Sequence, residues 1–175
     1  MVHRWAYLDD DTNLRGPVHQ RSWAELMAAG VGPAGRPLSR LVDVVAALDG
    51  RTDLEIQLKS TEPELVDAVI AALDAADVDR VQLTGSHAAL LARAAGSGPD
   101  LIRCLLIQPT PPWAGLDLVV HDAVQRARLA RADAVHLRPD QITPTVLEVL
   151  DRASLSVHIW DANDPAEVGD CSGRG

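Results

Sequence analysis

Leu54-Glu55-Ile56-Gln57-Leu58-Lys59 is a short run in which apolar and polar residues alternate strictly. In an extended chain Leu54, Ile56 and Leu58 share one face, and Glu55, Gln57 and Lys59 share the other. The same division recurs downstream. Leu155, Val157 and Ile159 oppose Ser156, His158 and Trp160. Val81 and Leu83 oppose Gln82 and Thr84. Val135 and Leu137 oppose Ala134 and His136. A strand buried under helices on both sides of an open sheet is apolar on both faces. These strands are apolar on one face only, which fits a barrel interior rising to a site at the C-terminal strand ends. The competing reading is a sheet with one solvated face.

Outward from this run, aliphatic strands alternate with Ala- and Leu-rich stretches of helical period. The expected strands are Leu54–Lys59, Val78–Thr84, Leu101–Ile107, Ala132–Leu137 and Leu155–Trp160. The expected helices are Ser22–Ala29, Ser39–Leu48, Glu62–Ala76, His87–Ala95, Leu116–Arg131 and Thr143–Ala153. In Glu62–Ala76 the residues Leu65, Val69, Ala72 and Leu73 form one stripe. Its lead-in, Ser60-Thr61-Glu62-Pro63-Glu64, offers a hydroxyl cap, a first-turn Pro and acids at the positive helix end. Thr143-Pro144 and Asn163-Asp164-Pro165 repeat this start signal. Alternating strands and helices imply parallel β/α units. No Gly-rich fingerprint follows a strand, so a Rossmann-type or Walker-type nucleotide site is excluded. Gly30–Pro37 reads as a linker, and Gly169–Gly175, without apolar content, as a disordered tail.

The chain has 175 residues, 47% hydrophobic and 23% charged, which suits one folded domain. A formal net charge of -9 disfavours nucleic acid and anionic membranes as partners. No apolar run approaches the roughly 18 residues of a membrane span, and MVHRWAYLDDD does not read as a signal peptide. Two cysteines, Cys104 and Cys171, make no disulfide framework, so the expected compartment is the cytoplasm. Phe is absent, and Lys59 is the only Lys beside fifteen Arg. A lone compact point charge among planar forks singles out Lys59.

Four stretches, in order, resemble the glycerophosphodiester phosphodiesterase family. They are Thr12-Asn13-Leu14-Arg15-Gly16-Pro17-Val18, Leu54-Glu55-Ile56-Gln57-Leu58-Lys59, Ala134-Val135-His136-Leu137, and Val157-His158-Ile159-Trp160-Asp161-Ala162-Asn163-Asp164-Pro165. The strand ending in Lys and the Trp-x-x-Asn-Asp-Pro element are the more specific. The resemblance implies a (β/α) barrel that hydrolyses glycerophosphodiesters to an alcohol and glycerol 3-phosphate with a divalent metal, Ca²⁺ or Mg²⁺. It places His3 near a catalytic acid/base His, with Arg4 where Asp is usual. It puts Lys59 on the phosphate and Trp160 at the glycerol end of the pocket. Gln57 falls at the position of a metal-binding Glu; its amide oxygen can coordinate but brings no charge. The family's early His-Arg-Gly strand and Glu-x-Asp strand would precede Met1, and its closing strand would follow Val168. The usual Ser-Phe pair reads Gly85-Ser86.

The expected fold is therefore α/β, an incomplete (β/α) TIM-type barrel lacking the first two strands and the last strand, over residues 1–168, with 169–175 as tail. A full barrel takes about 250 residues. Its open strand edges are liable to self-association. Glu55 is expected to pair with Lys59 or an Arg. His136 and His158 are expected as hydrogen-bonded interior histidines and Cys104 as inert core. His121-Asp122 is a surface pair and Trp113 a pocket wall or a loop anchor. Arg126, Arg128 and Arg131 are spaced for a solvated helix face. The favoured expectation is a family member inactive or weakly active alone, its ligand a glycerophosphodiester-like small molecule. The alternatives are an active phosphodiesterase and a non-catalytic remnant or interaction module completed by a second chain.

Overall fold

The structure, a computed structural model, describes residues 2, 7–9, 12–29, 38–76, 78, 81–97, 101–160 and 162. His3, Asn163-Asp164-Pro165 and the 169–175 tail lie outside them. The chain divides into two compact units, Met1–Asp53 with Lys59–Arg80, and Leu54–Leu58 with Val81–Gly175.

The second unit is a five-stranded parallel sheet with a helix after each of β2, β3 and β4. Its strands are β1 (Leu54–Leu58), β2 (Val81–Gly85), β3 (Ile102–Leu106), β4 (Ala134–Leu137) and β5 (Ser156–Ile159). They lie side by side in chain order. A doubly wound sheet reverses its order at a switch point; a (β/α) barrel does not. The uninterrupted order therefore identifies an arc of a barrel, as the one-sided patterning predicts. Register fixes the faces. Gln57 stands beside Thr84, Thr84 beside Cys104, Cys104 beside Ala134 and Ala134 beside Ser156. The odd-numbered positions of β2 to β4 supply the apolar face, and Val81, Leu83, Leu105, Val135 and Leu137 are all buried.

Helices α4 (Ala88–Ser97), α5 (Leu116–Ala130) and α6 (Pro144–Arg152) belong to this unit, and neighbours in that order pack together. In α5 the buried stripe is Val120, Ala123, Val124, Ala127 and Ala130, spaced for one helical face. Thr143 caps α6, its Oγ1 accepting from the Val146 N–H at 3.3 Å.

The first unit holds α1 (Trp23–Ala29), α2 (Leu41–Leu48) and α3 (Pro63–Asp74). Ser22 and Glu25 cap α1 reciprocally: Ser22 N–H donates to Glu25 Oε2 at 2.8 Å, and Glu25 N–H to Ser22 Oγ at 3.3 Å. Leu8, Leu26 and Leu38 form a small core, with Leu14, Val18 and Trp23 against it. The expected hydroxyl cap of α3 is not made. The N-cap is Glu62, without a side-chain cap bond, and Pro63 opens the helix. Val69, Ala72 and Leu73 of the expected α3 stripe are buried and Leu65 partly so, and Val66 and Ile70 widen the buried face.

Candidate functional site

The odd-numbered residues of β1 and the even-numbered residues of β2 to β5 share the polar face. Thr84 Oγ1 donates to Glu55 Oε1 at 2.7 Å. Gln82 Nε2 lies 3.5 Å from Thr84 Oγ1 and 3.1 Å from His136 Nε2. His158 Nδ1 lies 3.2 Å from the same His136 nitrogen, and Cys104 Sγ 3.9 Å from His158 Nδ1. On the far side of its ring, His136 Nδ1 faces Glu55 Oε1 at 3.9 Å. The two imidazoles are tilted by 52° with centroids 5.1 Å apart. Thr84, Cys104 and His136 are buried and His158 partly so, whereas Glu55 is half exposed. The middle of this face is thus closed to solvent, against the reading of one solvated sheet face.

Burial dominates the electrostatics. It holds His136 below the ordinary imidazole range, against the pull of Glu55 and with a smaller push from His158. Burial, with the charges of Glu55 and Asp133, pushes the Cys104 thiol up to about 12. At neutral pH Cys104 is therefore protonated and no nucleophile.

Cys104 is buried with its thiol protonated, as expected of inert core. Its even position in β3 nonetheless turns it to the polar face, beside two histidines. The run Ile102-Arg103-Cys104-Leu105-Leu106 hides this, because its residues on that face are otherwise aliphatic. Glu55 departs from expectation: it accepts from Thr84 and faces His136. Trp113 is neither wall nor anchor, being 78% exposed. Arg126 is partly buried, and its Nη2 donates to the Ser86 carbonyl at 2.7 Å; Arg128 and Arg131 are exposed as expected. His121 and Asp122 are exposed on α5, with His121 Nδ1 2.7 Å from Asp117 O and Asp122 3.6 Å from Arg126.

Gln57 is exposed near the C-terminal end of β1, and Lys59 follows directly after that strand. Trp160 follows β5, its backbone N–H bonded to Leu137 O. The guanidinium of Arg138, which follows β4, lies 5.9 Å from the Trp160 ring centroid. The indole Nε1 of Trp160 is buried without a hydrogen-bond partner. Gln141 escaped the sequence reading. It is buried, and its Nε2 donates to Gln108 O at 2.8 Å and Thr110 Oγ1 at 3.1 Å, while its Oε1 accepts from Arg138 N–H at 2.9 Å. It ties the segment after β3 to the segment after β4.

A Ca²⁺ or Mg²⁺ ion needs several hard oxygen donors, with at least one or two carboxylates among them. The residues described do not fit one. Gln57 is neutral, and Glu55 is engaged by Thr84. Among the described residues, the one set of three potential ligands within 4.8 Å of each other is Cys104, His136 and His158.

No protein-family model matches the sequence, and no curated protein does. Solved structures do. A chain from Agrobacterium tumefaciens str. C58, assigned provisionally as a glycerophosphoryl diester phosphodiesterase, superposes with a TM-score of 0.79 at 17% identity, over 99% of this chain and 72% of its own. The Thermotoga maritima glycerophosphodiester phosphodiesterase gives 0.70 at 16%, over 97% and 69%. An Oleispira antarctica phosphodiesterase in complex with its product sn-glycerol-3-phosphate gives 0.72 at 16%, over 97% and 70%. The chain spans about two thirds of the length of these solved chains, 69% to 72%. It is built on the fold of the glycerophosphodiester phosphodiesterases.

Proposed function

We propose that this chain is a member of the glycerophosphodiester phosphodiesterase family that binds a glycerophosphate-type ligand and, alone, hydrolyses phosphodiesters weakly or not at all. The observation that carries the reading is positional. Trp160, which the resemblance assigns to the ligand, stands one place beyond the C-terminal end of β5, where (β/α) folds build their sites, and the resemblance assigns Lys59 to the phosphate. Lys59 supplies a point charge to a phosphate. Trp160 supplies a ring to line the glycerol end of the pocket. The product held by the Oleispira antarctica phosphodiesterase is a ligand of this class. Low turnover follows from Gln57, whose neutral amide stands where the family places a metal carboxylate. His3 is the proposed acid/base residue.

Calorimetric titration of the full chain with sn-glycerol 3-phosphate tests this, with Lys59→Met beside the wild type. Saturable binding weakened roughly 10- to 100-fold by the substitution is expected for one charge-assisted bond. Absent binding, or equal binding by both proteins, overturns the reading. A second reading, self-association through the sheet edges, draws on β1 and β5 each pairing with one strand among the described residues.

A further inference from the structure

Three donor atoms of the chemistry that suits a borderline-soft cation converge on the polar face of the sheet. We propose that Cys104, His136 and His158 form a binding site for a divalent transition-metal ion of the Zn²⁺ class, joining β3, β4 and β5.

The distances support it. Zn–S and Zn–N bonds of about 2.3 and 2.0 Å at tetrahedral angles separate S from N by about 3.6 Å and N from N by about 3.3 Å. The corresponding separations here are 3.9 Å for Cys104 Sγ to His158 Nδ1 and 3.2 Å for His158 Nδ1 to His136 Nε2. All three ligand atoms lie within 4.8 Å of one another. Those two pairs need shifts of only a few tenths of an ångström, and the third, Cys104 Sγ with His136 Nε2, closes from at most 4.8 Å by side-chain rotation.

The surroundings fit as well. Glu55 faces His136 Nδ1. At 3.9 Å this is a charge contact beyond hydrogen-bond reach, and it favours the tautomer that keeps the proton on Nδ1 and leaves the Nε2 lone pair to the cluster. The row Cys104–Ala134–Ser156 has its smallest side chain in the middle, between the two strands that flank it. Hydrogen bonding alone serves the cluster poorly. It gives the His136 Nε2 two nitrogen neighbours, Gln82 and His158, and leaves the Cys104 thiol a single 3.9 Å contact. A metal ion satisfies all three ligands together, and the Gln82 amide then keeps its other neighbour, Thr84. Binding replaces the thiol proton by the metal and releases that proton to solvent. The donor set of one thiolate and two imidazoles selects Zn²⁺, Co²⁺ or Ni²⁺ over Ca²⁺ and Mg²⁺. This site is independent of the ligand site proposed above, and it stands or falls without reference to turnover.

The test is Co²⁺ titration of the full-length chain after chelator treatment, followed by absorption spectroscopy, beside Cys104→Ser. The wild type is expected to bind one equivalent, with intense visible bands of a four-coordinate ion and a thiolate-to-cobalt charge-transfer band. Excess Zn²⁺ abolishes both. In Cys104→Ser the charge-transfer band is lost while the far-ultraviolet circular dichroism is retained. A wild-type spectrum with only the faint bands of hexaaqua cobalt overturns the site. So does a charge-transfer band that survives in Cys104→Ser, which would assign the thiolate to Cys171. Because the wild-type spectrum alone decides the first point, a Cys104→Ser chain that fails to fold does not protect the proposal. Thermal unfolding gives a second reading on the wild type: a higher midpoint is expected with Zn²⁺ and no change with Mg²⁺. Equal midpoints with and without Zn²⁺ contradict the site.

Discussion

Replacing Gln141 by Met keeps the chain length of a buried side chain and removes all of its hydrogen-bonding capacity. Gln141 makes three bonds, to Gln108 O, Thr110 Oγ1 and Arg138 N–H, at 2.8, 3.1 and 2.9 Å. At about 1 kcal/mol net for each bond, their loss amounts to about 3 kcal/mol. Gln108 is exposed, so water replaces part of what its carbonyl loses. Thr110 and Arg138 are only partly buried, which lowers the figure further. The expected destabilisation is therefore about 2 kcal/mol. Van der Waals packing is nearly conserved, because Met fills almost the same volume. For a chain of this size, about 2 kcal/mol lowers the melting temperature by roughly 4–8 °C. Equilibrium urea unfolding, with the slope unchanged, measures the difference directly. A change below about 0.5 kcal/mol, within the range of an ordinary surface substitution, would refute the idea that Gln141 holds the segments after β3 and β4 together.

Three further outcomes follow from the same coordinates. Asp133 accepts from the Arg103 N–H at 2.8 Å and from its guanidinium at 3.0 Å. With Asp133 half exposed, Asp133→Ala is expected to cost about 1–2 kcal/mol in urea unfolding; no loss would remove this pair as a clasp between the starts of β3 and β4. Thr143→Ala, which deletes the α6 cap, is expected to cost about 1 kcal/mol, and an unchanged midpoint would show that the cap bond is immaterial. In chelator, acid destabilises the fold through His136. Its folded pKa lies below the ordinary 6.5, so the unfolded chain takes up the proton first. Stability is flat above about pH 6.5 and falls as pH drops from there toward the folded value. Glu55 opposes this shift, while His158 adds to it and the Cys104 thiol stays neutral. His136→Gln is expected to flatten the fall between pH 6.5 and 5; an equal fall in both proteins would place its origin elsewhere.

The fold was legible because period-two patterning survives in β1, β2, β4 and β5 and helical period in the helices between them. Each of the five strands lies within three residues of its expected start, and α5 begins at the expected residue. The boundaries drifted where local chemistry was ambiguous. Pro63 moved the start of α3 past the Ser60-Thr61 hydroxyls, since a Pro in the first turn needs no cap on its own nitrogen. The site was legible only in part. His136 and His158 announce themselves as polar residues on otherwise aliphatic strands, so their shared face could be read directly. Cys104 could not, because a buried thiol and a core methyl look alike in an aliphatic run. Parity was the available signal: position 104 is in register with Thr84, on the polar face. Gln141 gave no signal, because its bonds reach 31 and 33 residues back along the chain. His3 lies outside the described residues, and its role rests on the sequence resemblance.

Glycerol 3-phosphate release from glycerophosphocholine is the most direct test of the functional account. It is measured on the full chain with Ca²⁺ or Mg²⁺, beside Gln57→Glu and Lys59→Met. The account predicts turnover near background in the wild type with either ion, because Gln57 brings no charge to a hard cation. Metal-dependent wild-type turnover that Lys59→Met abolishes would contradict it, and would show that the reaction does not need a carboxylate at position 57.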